Sequence, residues 1–201
     1  DMSMIIMNGS PKAERGNTEI FIRKFMEGMK APCEVCYAAK EDSRQIAQKL
    51  QSYDTIIIAF PLYVHAMPGI VKKVMEEMQP VAEQGKKLGF IIQYGFMEGA
   101  QSEYAVRYLK SFAKNMKYEY LGAVVHGGSA GVSVMPDKMN RKLFEQLLLL
   151  GEHFAETGTV SEQVKEVLQT PYQLTKGQSR FYEILSKLGV SDAMYWNSQL
   201  K

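Results

Sequence analysis

The sequence predicts a three-layer α/β domain: a five-stranded parallel sheet with helices on both faces. Two observations carry the prediction. Short apolar runs alternate with amphipathic stretches of helical period from residue 4 to about residue 157, and such alternation builds strand–helix–strand units. One run, DTIIIAF (54–60), is β-branched and continuous, the mark of a central parallel strand covered on both faces. A chain of 201 residues, 46% hydrophobic and 23% charged, can bury a core of that kind.

The elements follow in order. MIIM (4–7) reads as a short, fully buried strand. After it, Ile22, Met26 and Met29, flanked by Phe21 and Phe25, form a helical stripe at three- and four-residue spacing. CEVCYAA (33–39) is the second strand, and a weaker helix over 43–51 carries Ile46, Ala47 and Leu50. DTIIIAF is the third strand. The next helix begins near Pro68 and carries Ile70, Val71, Val74, Met75 and Met78. KLGFIIQY (87–94) is the fourth strand, followed by a helix over 102–117 with Tyr104, Tyr108, Phe112 and Met116 at every fourth position. LGAVVHGG (121–128) is the fifth strand, and a helix over 137–156 carries Leu143, Leu147 and Leu150. The methionines fall at helical spacing and read as core filler.

Residues 1–157 therefore form one domain. Beyond them QTPYQLTKGQ (169–178) is a connector between two short helical segments, 161–168 and 178–188. Residues 158–201 are too few for a second domain and are expected to be a helical arm laid on the domain or on a partner subunit.

A net charge of +2 gives no basis for nucleic acid or an anionic membrane as partner. No apolar run is long enough to cross a bilayer, and Met4–Met7 is too short for a secretory leader. Two cysteines exclude a disulfide framework. The expectation is a cytoplasmic protein.

The first candidate site is MNGSPKAERGNT (7–18), between the first strand and the first helix. In an open parallel sheet, ligands sit beyond the carboxyl ends of the strands, where strand order reverses. A helix N-terminus there offers unpaired N–H groups and the positive end of a dipole. Ser10 and Thr18 add hydroxyls, Asn17 an amide and Lys12 a charge, while Gly9 and Gly16 let the backbone approach closely. The loop has neither G-x-G-x-x-G nor a closing G-K-[ST], so it is not a dinucleotide fingerprint or a Walker loop. From the loop alone two readings stand: a phosphate cradle, or an ordinary loop in which Gly16 or Asn17 caps the helix.

The third strand runs into AFPLYVHAMPG (59–69), where Pro61 ends the strand and Pro68 suits the first turn of a helix. Leu62, Tyr63, Val64 and His65 lie between. Such a loop offers an aromatic ring, apolar contact and backbone donors and acceptors to a flat heteroaromatic. QYGFMEG (93–99) brings Tyr94, Gly95 and Phe96 to the same end.

GSPKAERGNT after the first strand, with PLYVHAMP after the third, resembles the NADPH-dependent FMN reductase family of flavodoxin-like proteins. The resemblance covers about residues 2–157. It implies a sheet of order 2-1-3-4-5 with FMN at the switch point, and makes residues 1–157 a flavodoxin-like FMN-binding domain. It implies that the FMN phosphate takes Ser10, Lys12, Gly16, Asn17 and Thr18. The isoalloxazine would lie against Pro61, Leu62, Tyr63, Val64 and His65, with Gly95 and Phe96 near its far rim. It further implies NAD(P)H as hydride source, a small acceptor such as a quinone or flavin, and a homodimer. No nucleophile, catalytic base or metal is called for, because the cofactor carries the chemistry. Lys12 and Arg15 can in principle meet a 2′-phosphate. A flavodoxin-type electron carrier and a non-enzymatic flavin-binding or regulatory module are the alternatives.

Other residues read more plainly. Cys33-x-x-Cys36 sits on a strand, where residues three apart point to opposite faces, so a structural role is expected. His65 reads as a contact in the flavin loop, with proton donation the sharper alternative. His126 leads into GGSAG (127–131), which shapes a pocket wall or forms a plain mobile loop. His153 is expected in solvent. Tyr195 and Trp196 cover a flavin or pack on another subunit.

Overall fold

The computed structural model describes residues 3–63, 66–95, 99–171, 173 and 175–187. The strands are β1 (Met4–Asn8), β2 (Glu34–Tyr37), β3 (Thr55–Pro61), β4 (Lys87–Gln93) and β5 (Glu119–His126). The helices are α1 (Asn17–Met29), α2 (Ser43–Gln51), α3 (Gly69–Glu77), α4 (Glu103–Asn115), α5 (Asp137–Thr157), α6 (Glu162–Gln169) and α7 (Lys176–Lys187). All strand pairs are parallel, and the sheet order is β2-β1-β3-β4-β5. This is the order that the resemblance implied. Because β1 lies between β2 and β3, the chain winds away from it in both directions, and the switch point falls at β1 and β3.

Strand alternation divides the core in two. Ile56, Ile58 and Phe60 of β3 face one side with Leu50 of α2, Val71 and Val74 of α3 and Leu109 of α4. Ile57 and Ala59 face the other with Phe21, Ile22 and Phe25 of α1 and Leu147 and Leu150 of α5. Every residue of β3 is buried, as expected of a parallel strand covered on both faces. The two cysteines follow the same alternation. Cys36 is buried in the first core and Cys33 packs on the second.

β2 is shorter than the expected 33–39, and β5 and α4 differ from the sequence expectation in ways that bear on the sheet. β5 sits two residues earlier than 121–128, because Glu119 and Tyr120 already pair with Lys87 and Leu88. It stops at His126, ahead of Gly128 with φ +69. In α4 the buried residues are Ala105, Leu109 and Ala113, while Tyr104 and Tyr108 are exposed. The helix turns its small side chains to the sheet, which permits close approach, and leaves the tyrosine hydroxyls in water. Phe112 and Met116 pack at the margin of the core.

Beyond α5, α6 buries Val164 and Leu168 in the second core, and Gly99 N–H donates to Pro171 O at 2.9 Å. Phe181 and Ile184 of α7 are exposed. Residues 188–201, with Tyr195 and Trp196, lie outside the described residues. Among the described residues no helix is long and apolar enough to cross a membrane.

Candidate functional site

The loop after β1 is braced from below. Asn8, the last residue of β1, is fully buried. Its Nδ2 donates to Glu19 Oε2 at 2.9 Å, and its Oδ1 accepts from Ser10 N–H at 2.9 Å. Glu19 Oε1 accepts from Arg23 Nε at 2.9 Å and from the Tyr37 hydroxyl at 3.2 Å. Burial, with Glu19 beside it, pushes the Tyr37 phenol up to about 12, so Tyr37 stays a donor to the carboxylate. One buried carboxylate thus joins the ends of β1 and β2 to the first turn of α1.

Above this brace the loop curls tightly. Ser10 Oγ accepts from Lys12 N–H at 3.2 Å, and Ala13 N–H donates to Ser10 O at 2.9 Å. Gly16 is the N-cap of α1, with no side-chain cap bond. A Cβ there would lie 2.8 Å from Ser10 Oγ, and a Cβ on Gly9 would lie 2.3 Å from Val71 Cγ2. A side chain at either position would force these neighbours to shift.

The loop after β3 leaves the neighbouring strand, since Asn8 pairs with Ala59 and Gly9 N–H donates to Ala59 O at 2.7 Å. Pro61 ends β3 opposite Gln93 of β4. Leu62 is buried in the first core, so its side chain faces inward. Tyr63 is 41% exposed and exchanges two backbone bonds of 2.8 Å with Ala66. These bonds hold Tyr63 and Ala66 side by side at the ligand end. Gly95 is exposed just beyond β4, after the buried Tyr94. Val64, His65 and Phe96 lie outside the described residues. The structure therefore brings Ser10, Lys12, Gly16, Asn17, Thr18, Pro61, Leu62, Tyr63 and Gly95 to one end of the sheet. Asn17 and Thr18 are turned toward protein partners: Asn17 Nδ2 donates to Ser129 O at 2.7 Å, and Thr18 Oγ1 accepts from Gln93 Nε2 at 3.3 Å.

Of GGSAG, Gly128 faces a cavity beside α5. This cavity, of about 460 Å³, is also lined by His126, Val132, Met139, Leu143 and Leu168. His126 Nδ1 lies 2.7 Å from Leu168 O, so this nitrogen carries the proton. Burial holds the His126 pKa below its ordinary value. His153 is half-buried, its Nε2 3.3 Å from the Thr159 hydroxyl. Among the described residues no group of His, Cys, Asp and Glu can hold a metal.

A family model described as the flavodoxin-like fold matches residues 2–147. The chain belongs to this family. No curated protein sequence matches it. Three similar solved structures place the flavodoxin-like chain among others of its architecture. An NADPH-quinone reductase of P. pentosaceus is 23% identical with a TM-score of 0.56, covering 77% of this chain and 98% of that one. An FMN-dependent NADH-azoreductase of Bacillus anthracis, in complex with FMN, is 15% identical with a TM-score of 0.61, covering 77% and 100%. General stress protein 14 of Treponema denticola, in complex with FMN, is 13% identical with a TM-score of 0.58, covering 78% and 98%. At these identities the likeness is one of fold.

The chemistry of the donor set fits the phosphate end of FMN. The first N–H groups of α1, at Asn17 and Thr18, have no acceptor within their own helix, and the dipole of α1 favours an anion beside them. Ser10 and Lys12 stand in the same loop. In the loop after the adjacent strand β3, the part-exposed Tyr63 carries an aromatic ring, which suits a planar ring system.

Proposed function

We propose that this protein binds FMN at the carboxyl ends of β1, β3 and β4 and works as an oxidoreductase. In this reading it takes hydride from NADH or NADPH and passes it to a small acceptor such as a quinone or a flavin. The observation that carries the reading is the pairing of two loops on adjacent strands: an anion-suited loop at the N-terminus of α1, and a loop bearing an exposed tyrosine. The similar structures include an FMN-dependent azoreductase and an NADPH-quinone reductase, which supports the same chemistry.

When bound, FMN supplies a two-electron carrier that accepts hydride and hands it on. The chain's own residues bind and orient. Asn17 and Thr18 N–H and the Lys12 ammonium would neutralise the phosphate. The Asn8–Glu19 brace holds the loop in its curled form before any ligand arrives, which lowers the ordering cost of binding. Tyr63 would give the ring system a face, while buried Leu62 and Tyr94 keep water from beneath the loops. A homodimer and a cytoplasmic location belong to the same proposal.

The test is an absorbance spectrum of protein soaked in FMN, desalted, then mixed anaerobically with NADPH and separately with NADH. Flavin bands that stay with the protein and bleach rapidly are expected. Bands that stay without bleaching would make it an electron carrier. Absence of retained bands would overturn the FMN reading.

A further inference from the structure

The candidate phosphate loop is tied to two residues that lie outside both GSPKAERGNT and PLYVHAMP. Asn17 Nδ2 donates to the main-chain oxygen of Ser129 at 2.7 Å. Gln93 Nε2 donates to Thr18 Oγ1 at 3.3 Å, and the Ser129 hydroxyl donates to Gln93 Oε1. The Ser129 hydroxyl also lies 2.9 Å from Tyr94 O, and Ser129 N–H donates to Tyr94 O at 3.0 Å. Thr18, Gln93 and Ser129 are 1%, 7% and 0% exposed. Polar side chains so deep are retained when each finds a partner, and here the partners form a chain. It runs from the β5–α5 loop, through the end of β4, to the first turn of α1.

We propose that Gln93 and Ser129 are positioning residues for the anion site. Acting through Thr18, they fix the first turn of α1 and so the direction of the N–H groups that a phosphate would take. The proposal rests on the FMN reading above and extends it to two residues that act through Thr18 and not on the ligand. The physical argument begins at Gly16. As N-cap it has no side-chain cap bond, so the local restraint that a serine or aspartate would give the first turn is missing. The Gln93–Thr18 and Ser129–Asn17 bonds restrain the same turn from outside the helix. Donors at a helix N-terminus serve an anion only while they converge on it, because a hydrogen bond weakens steeply as its angle closes.

The test is a fluorescence titration with FMN and with riboflavin, which lacks the phosphate, on wild type, Ser129→Ala, Thr18→Val and the double variant. Ser129→Ala keeps the main-chain oxygen that Asn17 uses and removes the hydroxyl that orients Gln93. It is expected to raise the FMN Kd about tenfold, the size of one lost buried hydrogen bond, with the riboflavin Kd unchanged. In the Thr18→Val background, Ser129→Ala should have no further effect on FMN, because both act through one chain. Gln93→Met keeps the side-chain length and removes the amide. It is expected to give the same FMN-selective loss, and it carries the test if Ser129→Ala does not fold. An equal loss for both ligands, strictly additive effects, or no change would overturn the proposal. Wild type that binds FMN no better than riboflavin would overturn the phosphate reading itself, a result seen before any substitution is made.

Discussion

Gly28 of α1 and Gly151 of α5 bring their two helices into main-chain contact. A Cβ on Gly28 would lie 2.1 Å from Leu148 O, and a Cβ on Gly151 would lie 2.0 Å from Phe25 O. Helix propensity alone favours alanine over glycine by about 1 kcal/mol. Here sterics decide against it, since backbone oxygens cannot move aside as a side chain can. Gly28→Ala and Gly151→Ala should each destabilise the protein by about 1–3 kcal/mol, as overpacking does. Urea denaturation at fixed pH measures this, and a variant more stable than wild type would show that the helices separate freely.

Glu19 accepts from three side chains, Asn8, Arg23 and Tyr37. Glu19→Gln would turn an amide N–H₂ toward at least one of these donors and remove the charge. A buried donor facing a donor costs about 1–3 kcal/mol. The expected outcome is lower stability together with weaker FMN binding, because Asn8 also holds Ser10 N–H. Denaturation and a flavin titration on the same preparation test both. Full FMN affinity in Glu19→Gln would show that the loop holds its shape without the brace.

His126 should make stability fall in acid. Burial lowers its pKa below the ordinary 6.5 despite the bond to Leu168 O. The unfolded chain therefore binds the proton more readily than the native state does, and the stabilisation present above about pH 6.5 is lost as pH falls through the lower native value. The affected contact is the seat of α6, because Leu168 belongs to that helix. His126→Gln, which cannot gain this charge, should flatten the thermal stability profile between about pH 7.5 and pH 5. A profile as steep as wild type's would place the titration elsewhere.

These residues also show what the sequence could disclose. Period and composition sufficed for β3, where TIIIAFP admits no amphipathic reading, and for α2, whose bounds coincide with the expected 43–51. The turn chemistry around Gly9, Gly16 and Pro61 marked the ligand end. α4 was misleading because its tyrosines repeat at helical spacing as regularly as Ala105, Leu109 and Ala113 do, and spacing alone cannot tell which parallel stripe meets the sheet. Gln93 and Ser129 stood inside QYGFMEG and GGSAG, but their tie to the first loop was hidden for another reason. Their partners, Thr18 and Tyr94, lie far off in sequence or on the main chain. A glutamine closing the apolar run KLGFII was a signal, since a polar residue there would need a buried partner.

The last prediction concerns Cys33 and Cys36, whose spacing invites a redox reading. They pack against opposite faces of the sheet, so a disulfide would require β2 to leave its register. Burial pushes the Cys33 thiol up to about 11 and the Cys36 thiol up to about 12. At pH 8 the thiolate fraction of Cys33 is then on the order of one thousandth, and only the thiolate reacts. Ellman's reagent should label the native protein slowly and the urea-unfolded protein fully. Mild oxidation of the native protein should leave its mass without the loss of two hydrogens that an internal disulfide brings. Rapid native labelling, or that mass loss, would mean that β2 opens far more readily than its pairing with β1 implies.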